Sequence, residues 1–188
     1  MTLGRFILLV ALIGGGYQYW HSHKTIASAT GITAPADRDW NAYGYTIKPL
    51  EKFAFEARVL RTEHYSTDRE SQLAPVDLAL GWGPMADPAV LAKISISQSN
   101  RFYYWHVDEW PLPRRDIETH SANMHMVPAN AEVERTLRNV RSGQRVKFSG
   151  YLIEVRAPDG WHWKSSLTRE DTGAGACELV WVEQIAVN

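Results

Sequence analysis

The sequence has a single cysteine, Cys177, among 188 residues. An intramolecular disulfide needs two cysteines, so none can form and the fold must be held together by the packing of its core. The sequence also lacks an excess of either charge, because it has 20 Lys and Arg and 21 Asp and Glu, and its formal net charge is -1. Nucleic-acid binding normally needs a dense cationic face, so we expect no nucleic-acid partner.

Intrinsic disorder is not expected over most of the chain. Hydrophobic residues make up 45% of the sequence and charged residues 22%, a balance that supports a packed core. At this length the chain has room for one compact domain of about 100–150 residues. We assign that domain to residues 45–188.

Long apolar runs are absent beyond the first twenty residues. The run at residues 3–20 contains one charged side chain, Arg5, near its start. A helix over residues 2–20 would be about 28 Å long, close to the roughly 30 Å hydrocarbon core of a bilayer. Aromatic side chains end the run in the way typical of a membrane interface: Tyr17, Tyr19 and Trp20. The sequence therefore predicts a single-pass inner-membrane anchor over residues 1–24, with the N-terminus cytoplasmic and the domain extracytoplasmic.

Two alternatives remain for this segment. Ala27-Ser28-Ala29 fits a small-x-small cleavage site, so the run would then be a signal peptide. About ten residues separate the apolar run from that site, which is long for a cleaved leader. The other alternative is a buried core helix. Residues 25–44, rich in Ala, Thr, Ser, Gly and Pro, are interpreted as a tether between anchor and domain.

Within the domain, apolar and polar side chains alternate over residues 52–59, as in a half-buried strand. Residues 94–97 alternate in the same way, residues 101–107 are an aromatic run with high strand preference, and Gln98-Ser99-Asn100 between them predicts a hairpin turn. Asn130 is a good N-cap for a helix with apolar residues at Val133, Leu137 and Val140. A shorter helix is predicted from Asp87-Pro88 to about Lys93.

Strands return after Gly143. Apolar residues fall on both faces of residues 146–155, so Gly150 is interpreted as a bulge or sharp bend. In the last strand we expect Cys177, Leu179, Trp181 and Ile185 on one core face. The predicted fold is mainly β (α+β): a small barrel or strongly bent sheet with one capping helix, of SH3-like or oligonucleotide-binding shape.

Eight Trp and eight Tyr are a heavy aromatic load for this length. Trp82 lies between Gly81 and Gly83, which predicts a tight loop that presents or seats its indole. With other indoles it would form a surface for a peptide or glycan: Trp82, Trp105, Trp110, Trp161 and Trp163. The alternative is that Trp82 fills the end of the barrel, since large rings are on average buried.

Cys177 is the one candidate nucleophile, and His120, His125 or His162 would be its base in a Cys-dependent hydrolase or transpeptidase. The alternative is a small buried core residue, because Cys177 keeps the alternation of its strand. No motif of a known thiol enzyme surrounds it.

The run from His120 to Met126 offers imidazole and thioether ligands, so His120, Met124 and His125 are a candidate copper site. The alternative is that the imidazoles bond backbone carbonyls. Asp171-Thr172-Gly173 resembles the triplet of aspartic proteases, but that chemistry needs two carboxylates and the chain has one copy. We interpret this triplet as a solvated turn.

No acid, base and nucleophile converge in the sequence. We therefore expect a non-enzymatic, membrane-anchored binding or accessory domain without a cofactor, whose partner is a protein or glycan of the cell envelope. A hydrolase or transpeptidase that uses Cys177 is the alternative.

Overall fold

The structure is a computed structural model that describes residues 25–28, 38–168 and 176–188. The predicted anchor over residues 3–20 lies outside these ranges, as does the Asp171-Thr172-Gly173 triplet. Within the described ranges, no helix has the length and apolar character needed to cross a bilayer.

Strands dominate the described residues, which confirms the prediction of a mainly β domain. In chain order the strands are β1 Thr25–Ser28, β2 Trp40–Ala42, β3 Tyr45–His64, β4 Val76–Gly81, β5 Ser95–Ser99, β6 Phe102–His106, β7 Ser121–Pro128, β8 Arg145–Arg156, β9 His162–Lys164 and β10 Glu178–Val187. The α-helices are α1 Pro88–Leu91, α2 Arg114–Thr119 and α3 Ala131–Asn139, and two 3-10 helices cover Glu70–Gln72 and Gly83–Ala86.

Five strands form a closed ring of backbone pairings. The long strand β3 pairs with β8 over residues 46–58 and with β4 over residues 58–64. β4 pairs with β7, β7 runs parallel to β10, and β10 pairs with β8 to close the ring. We call this ring the barrel. Three further strands lie outside the barrel: β1 pairs with β10, β2 pairs with β3, and β9 pairs with β8.

The barrel strands are buried on both faces over part of their length. Inside the barrel lies a core that includes Phe148 and Leu152 of β8. A second apolar cluster, outside the barrel, includes Ile153 and Val155 of the same strand. The two-faced apolar pattern of β8 therefore arises because one strand contributes to two cores.

Gly150 lies on the barrel-core face of β8, between Phe148 and Leu152. A Cβ at Gly150 would overlap the carbonyl oxygen of Trp181, so only glycine permits this approach of β8 to β10. The irregularity itself lies opposite, in β10 between Val182 and Gln184. Because that bulge shifts the alternation, Ile185 enters the barrel core while Trp181 stays in the outer cluster. The prediction that both lie on one face was wrong.

Part of the predicted tether belongs to the packed domain. Residues 40–42 form β2 and pair with β3 across a two-residue turn, Tyr43-Gly44, in which both residues have positive φ. Trp40 is only 8% exposed and its ring lies 5.3 Å from that of Trp181. The domain therefore starts earlier than residue 45, since the indole of Trp40 completes the outer cluster.

The helix predicted after Asn130 is confirmed. Its first turn is capped by the Asn130 side chain, which accepts hydrogen bonds from the backbone N–H groups of Glu132 and Val133. The apolar side packs Val133 and Leu137 into the barrel core. The helix near Pro88 also forms, but α1 ends at Leu91.

The segment between β4 and β7, residues 82–120, contains α1, the β5–β6 hairpin and α2, and we call it the insertion. The hairpin forms, but its two-residue loop is Asn100-Arg101, with φ of 51° and 70°, and Gln98 and Ser99 of the predicted turn belong to β5. The insertion contacts the outer side of β7, where Gln98 Nε2 donates to Asn123 Oδ1 over 2.7 Å. All six residues of β4 are buried.

Candidate functional site

A cleft of about 600 Å³ lies between β6 and the start of β10. One wall is the run from Phe102 to Val107, and the base includes residues 121–123 of β7. Thr168, Ala176, Cys177 and Glu178 line it from the other side. Three segments far apart in sequence thus meet at one concave site, which is the usual form of a ligand pocket.

Three of the five predicted binding-surface tryptophans line this cleft: Trp82, Trp105 and Trp110. The rings of Trp105 and Trp110 meet edge to face with centroids 5.8 Å apart, and the Arg114 guanidinium lies 5.9 Å from the Trp105 ring. Trp110 is 55% exposed, so its indole is accessible to a ligand. Trp82 is half-buried and packs edge to face on Phe55, with centroids 4.9 Å apart.

The other two predicted tryptophans lie elsewhere. Trp161 and Trp163 contact each other with ring centroids 6.2 Å apart and pack against the outer cluster. Arg69 places its guanidinium 4.6 Å from the Trp161 ring. The structure therefore divides the five indoles between the cleft and a separate group that packs on the outer cluster.

Tyr103 sits at the base of the cleft. Its hydroxyl lies 2.8 Å from the Ser121 hydroxyl. Burial raises the pKa of Tyr103 above its usual value, and the nearby carboxylates of Glu118 and Glu178 act in the same direction, against the lowering effect of the Ser121 hydrogen bond. The Tyr103 hydroxyl therefore stays protonated at the base of the cleft.

Two acidic side chains, Glu118 and Glu178, line this part of the cleft. Glu178 is 2% exposed, and Glu118 accepts a hydrogen bond of 2.7 Å from Arg114, four residues earlier on α2. The guanidinium of Arg114 also lines the cleft.

Behind the cleft, Arg101 joins the hairpin loop to the barrel. Its guanidinium donates to Asp77 Oδ1 over 3.1 Å, to Asp68 Oδ1 over 2.8 Å and to the Ala74 carbonyl oxygen over 2.8 Å. The guanidinium carbon also lies 3.7 Å from the centroid of the Tyr65 ring. These contacts hold a residue whose positive φ is costly for any side chain other than glycine.

Asp77 is fully buried on β4 and has two further polar neighbours. Asn123 Nδ2 donates to its Oδ2 over 3.3 Å, and His125 Nδ1 lies 3.0 Å from the same oxygen. The imidazole contact is short but not aligned as a hydrogen bond, so it is an electrostatic contact. The other flank of the His125 ring packs on Trp163, with centroids 4.7 Å apart.

Cys177 lines the cleft and is half-buried, and its Sγ lies 4.0 Å from the Arg101 carbonyl oxygen. The three histidines named as candidate bases lie in other surroundings. His120 Nδ1 lies 2.9 Å from the Asp116 carbonyl oxygen, His125 lies against Asp77, and His162 is exposed on β9.

The candidate copper ligands do not converge. Met124 and His125 are adjacent on β7, so their side chains point to opposite faces, and Met124 lies in the barrel core. His120 packs beside Trp82 with ring centroids 6.5 Å apart. No group of three or more His, Cys, Asp or Glu side chains suited to a metal ion occurs in residues 38–168 and 176–188.

Sequence reasoning missed the Arg101–Asp77 pair. The available signal was a charged residue inside the otherwise apolar run Val76-Asp77-Leu78-Ala79-Leu80, since a buried aspartate needs a partner. Nothing in the sequence identifies Arg101 as that partner, because 23 residues separate the two.

The chain was compared with protein-family models, with curated proteins and with solved structures, and none of the three gave a match.

Proposed function

We propose that this protein is a membrane-anchored extracytoplasmic domain that binds a protein or glycan of the cell envelope in the cleft between β6 and β10. The observation that carries the proposal is the cleft of about 600 Å³, lined by Trp82, Trp105 and Trp110 from separate parts of the insertion. Aromatic rings with accessible faces provide most of the contact energy in many binding sites.

The order of strands supports a binding role by analogy. Going round the barrel from β3, the order β3-β4-β7-β10-β8 and the parallel β7–β10 pair are those of five-stranded Greek-key barrels of the oligonucleotide-binding type. Such barrels bind ligands on the face of their second and third strands, here β4 and β7. The insertion covers that face and leaves the cleft beside β6. Fold alone does not define function, so the cleft itself is the evidence for a binding role.

A second candidate is a thiol enzyme that acts on cell-wall or peptide bonds, favoured by one observation: Cys177 lines the same cleft. Replacement of Cys177 by serine separates the two functions. A binding domain keeps its partner in this variant, whereas a thiol hydrolase or transpeptidase loses its nucleophile.

Photo-crosslinking in intact cells tests the binding function. The full chain would carry p-benzoylphenylalanine in place of Trp110, at the rim of the cleft, or in place of Tyr43, which is 44% exposed and does not line it. We expect one defined adduct from position 110, identified by mass spectrometry, and none from position 43. The adduct should diminish when Trp105 is changed to Ala in a chain that still folds. The same adducts from both positions, or no dependence on Trp105, would contradict the proposal.

A further inference from the structure

The cleft follows the edge of β6 rather than one of its faces. Successive side chains of a strand point to opposite faces, and those of Phe102 to His106 alternate between exposed and half-buried. Both sets line the cleft. A space lined by side chains from both faces of a strand must lie beside that strand, where its backbone groups are accessible.

The hairpin register determines which backbone groups face the cleft. Ser99 and Phe102 flank the two-residue loop and Ser97 is opposite Tyr104, so these pairs exchange the hydrogen bonds of the hairpin. The alternate residues Tyr103 and Trp105 therefore direct their N–H and C=O groups away from β5. Across the described ranges, β6 pairs with β5 alone. An edge of this kind accepts another strand.

Length and backbone hydrogen bonding narrow the class of partner. The five residues of β6 extend over about 16 Å at 3.3 Å per residue. A glycan would stack on the aromatic rings but would not offer the regularly spaced N–H and C=O groups that pair with the outward peptide groups of Tyr103 and Trp105.

We propose that the ligand of this cleft is an extended segment of a partner protein, about five residues long, which pairs with the edge of β6 that faces away from β5. The inference rests on the proposed binding function and names its ligand class. The partner strand would receive hydrogen bonds from, and donate them to, the peptide groups of Tyr103 and Trp105.

A peptide selection tests this inference. The full-length chain in detergent micelles would be used to select from a phage library of random 12-residue peptides, with the Trp110→Ala variant as the counter-selection. We expect enriched peptides that bind the unmodified chain and not the variant. N-methylation of the selected peptide at successive positions should lower its affinity about tenfold at alternate residues and much less at the residues between them.

Each result has a separate meaning. N-methylation without a two-residue period would overturn strand pairing, and so would binding of cell-wall oligosaccharides with no peptide enriched, while either result leaves the proposed binding function intact. Absence of the crosslink from position 110, with no peptide or oligosaccharide bound, would overturn both.

Discussion

The Arg101 guanidinium lies 3.1 Å from Asp77 Oδ1 at the point where the hairpin of the insertion meets β4. Asp77 has no exposed side-chain surface and Arg101 only 14%. The pair therefore attaches the loop of the β5–β6 hairpin to the barrel from inside the protein. Because β6 forms one wall of the cleft, this attachment also determines the position of the candidate site.

Removal of Arg101 should destabilise the protein strongly. Arg101→Met leaves the carboxylate of Asp77 buried without its main counter-charge, which typically costs about 3–5 kcal/mol. We expect a corresponding fall in the free energy of unfolding, measured by urea denaturation. The matched control is Asp159→Asn, which removes the exposed partner of Arg69 and should change stability little. A small effect of Arg101→Met would show that the pair does not hold the hairpin.

Adding a methyl group at Gly150 should disrupt the meeting of β8 and β10. A Cβ there overlaps the Trp181 carbonyl oxygen, and relief requires the two strands to separate. Gly150→Ala should cost about 1–3 kcal/mol of unfolding free energy or more. Ser149→Ala, one residue earlier on the same strand, removes only a long 3.5 Å contact with Gln184 and is the control. Equal stability of the two variants would contradict the close approach.

Stability should decrease in mildly acidic solution because of His64. Partial loss of hydration, together with the positive charges of Arg138 and Arg141, lowers the pKa of His64 below its ordinary value of 6.5. As the pH falls through 6.5, His64 becomes protonated in the unfolded chain but not yet in the folded chain. The free energy of unfolding therefore decreases until the pH passes the lower pKa of His64 in the folded chain. His64→Gln should reduce the loss between about pH 7 and pH 5 in thermal unfolding experiments. An identical pH profile for the variant would show that His64 does not contribute.

Cys177 should react with iodoacetamide in the native chain. Its side chain is half-buried and lines the cleft, so the reagent can reach it, although more slowly than in urea. Mass spectrometry of the full chain measures the single carbamidomethyl addition, and Cys177→Ser is the control that shows none. Reaction only after denaturation would mean that this end of the cleft is closed, as expected of the buried core residue considered from the sequence.

The sequence predicted the elements whose signals are local. Asn130 followed by Val133 and Leu137 was sufficient to predict α3, and the alternation on both sides of Gln98-Ser99-Asn100 predicted the hairpin, because caps and periodicity act over a few residues. β2 was missed since its signal, a Tyr-Gly turn, is weak. The face of Ile185 was misassigned because the bulge in β10 depends on its pairing with β8 rather than on its own residues.

The candidate site was predicted in part. Trp82, Trp105 and Trp110 come together as the sequence suggested, whereas Trp161 and Trp163 lie in the separate outer group. Their separation follows from the pairing of β9 with β8, a long-range contact without a local sequence signal. The position of β6 at the edge of its hairpin is likewise a property of topology, since in the described part of the chain β6 pairs with β5 alone.

The central claim is that the partner binds in the cleft along β6. Hydrogen exchange at the amides of Tyr103 and Trp105 tests this claim most directly. In the free full-length chain these two amides point away from β5 and should exchange quickly, while that of Tyr104, which is bonded within the hairpin, should exchange slowly. Addition of the selected peptide should slow exchange at Tyr103 and Trp105 and leave amides on β2, outside the cleft, unchanged. Peptide binding that leaves the Tyr103 and Trp105 amides exchanging as in the free chain would contradict the account.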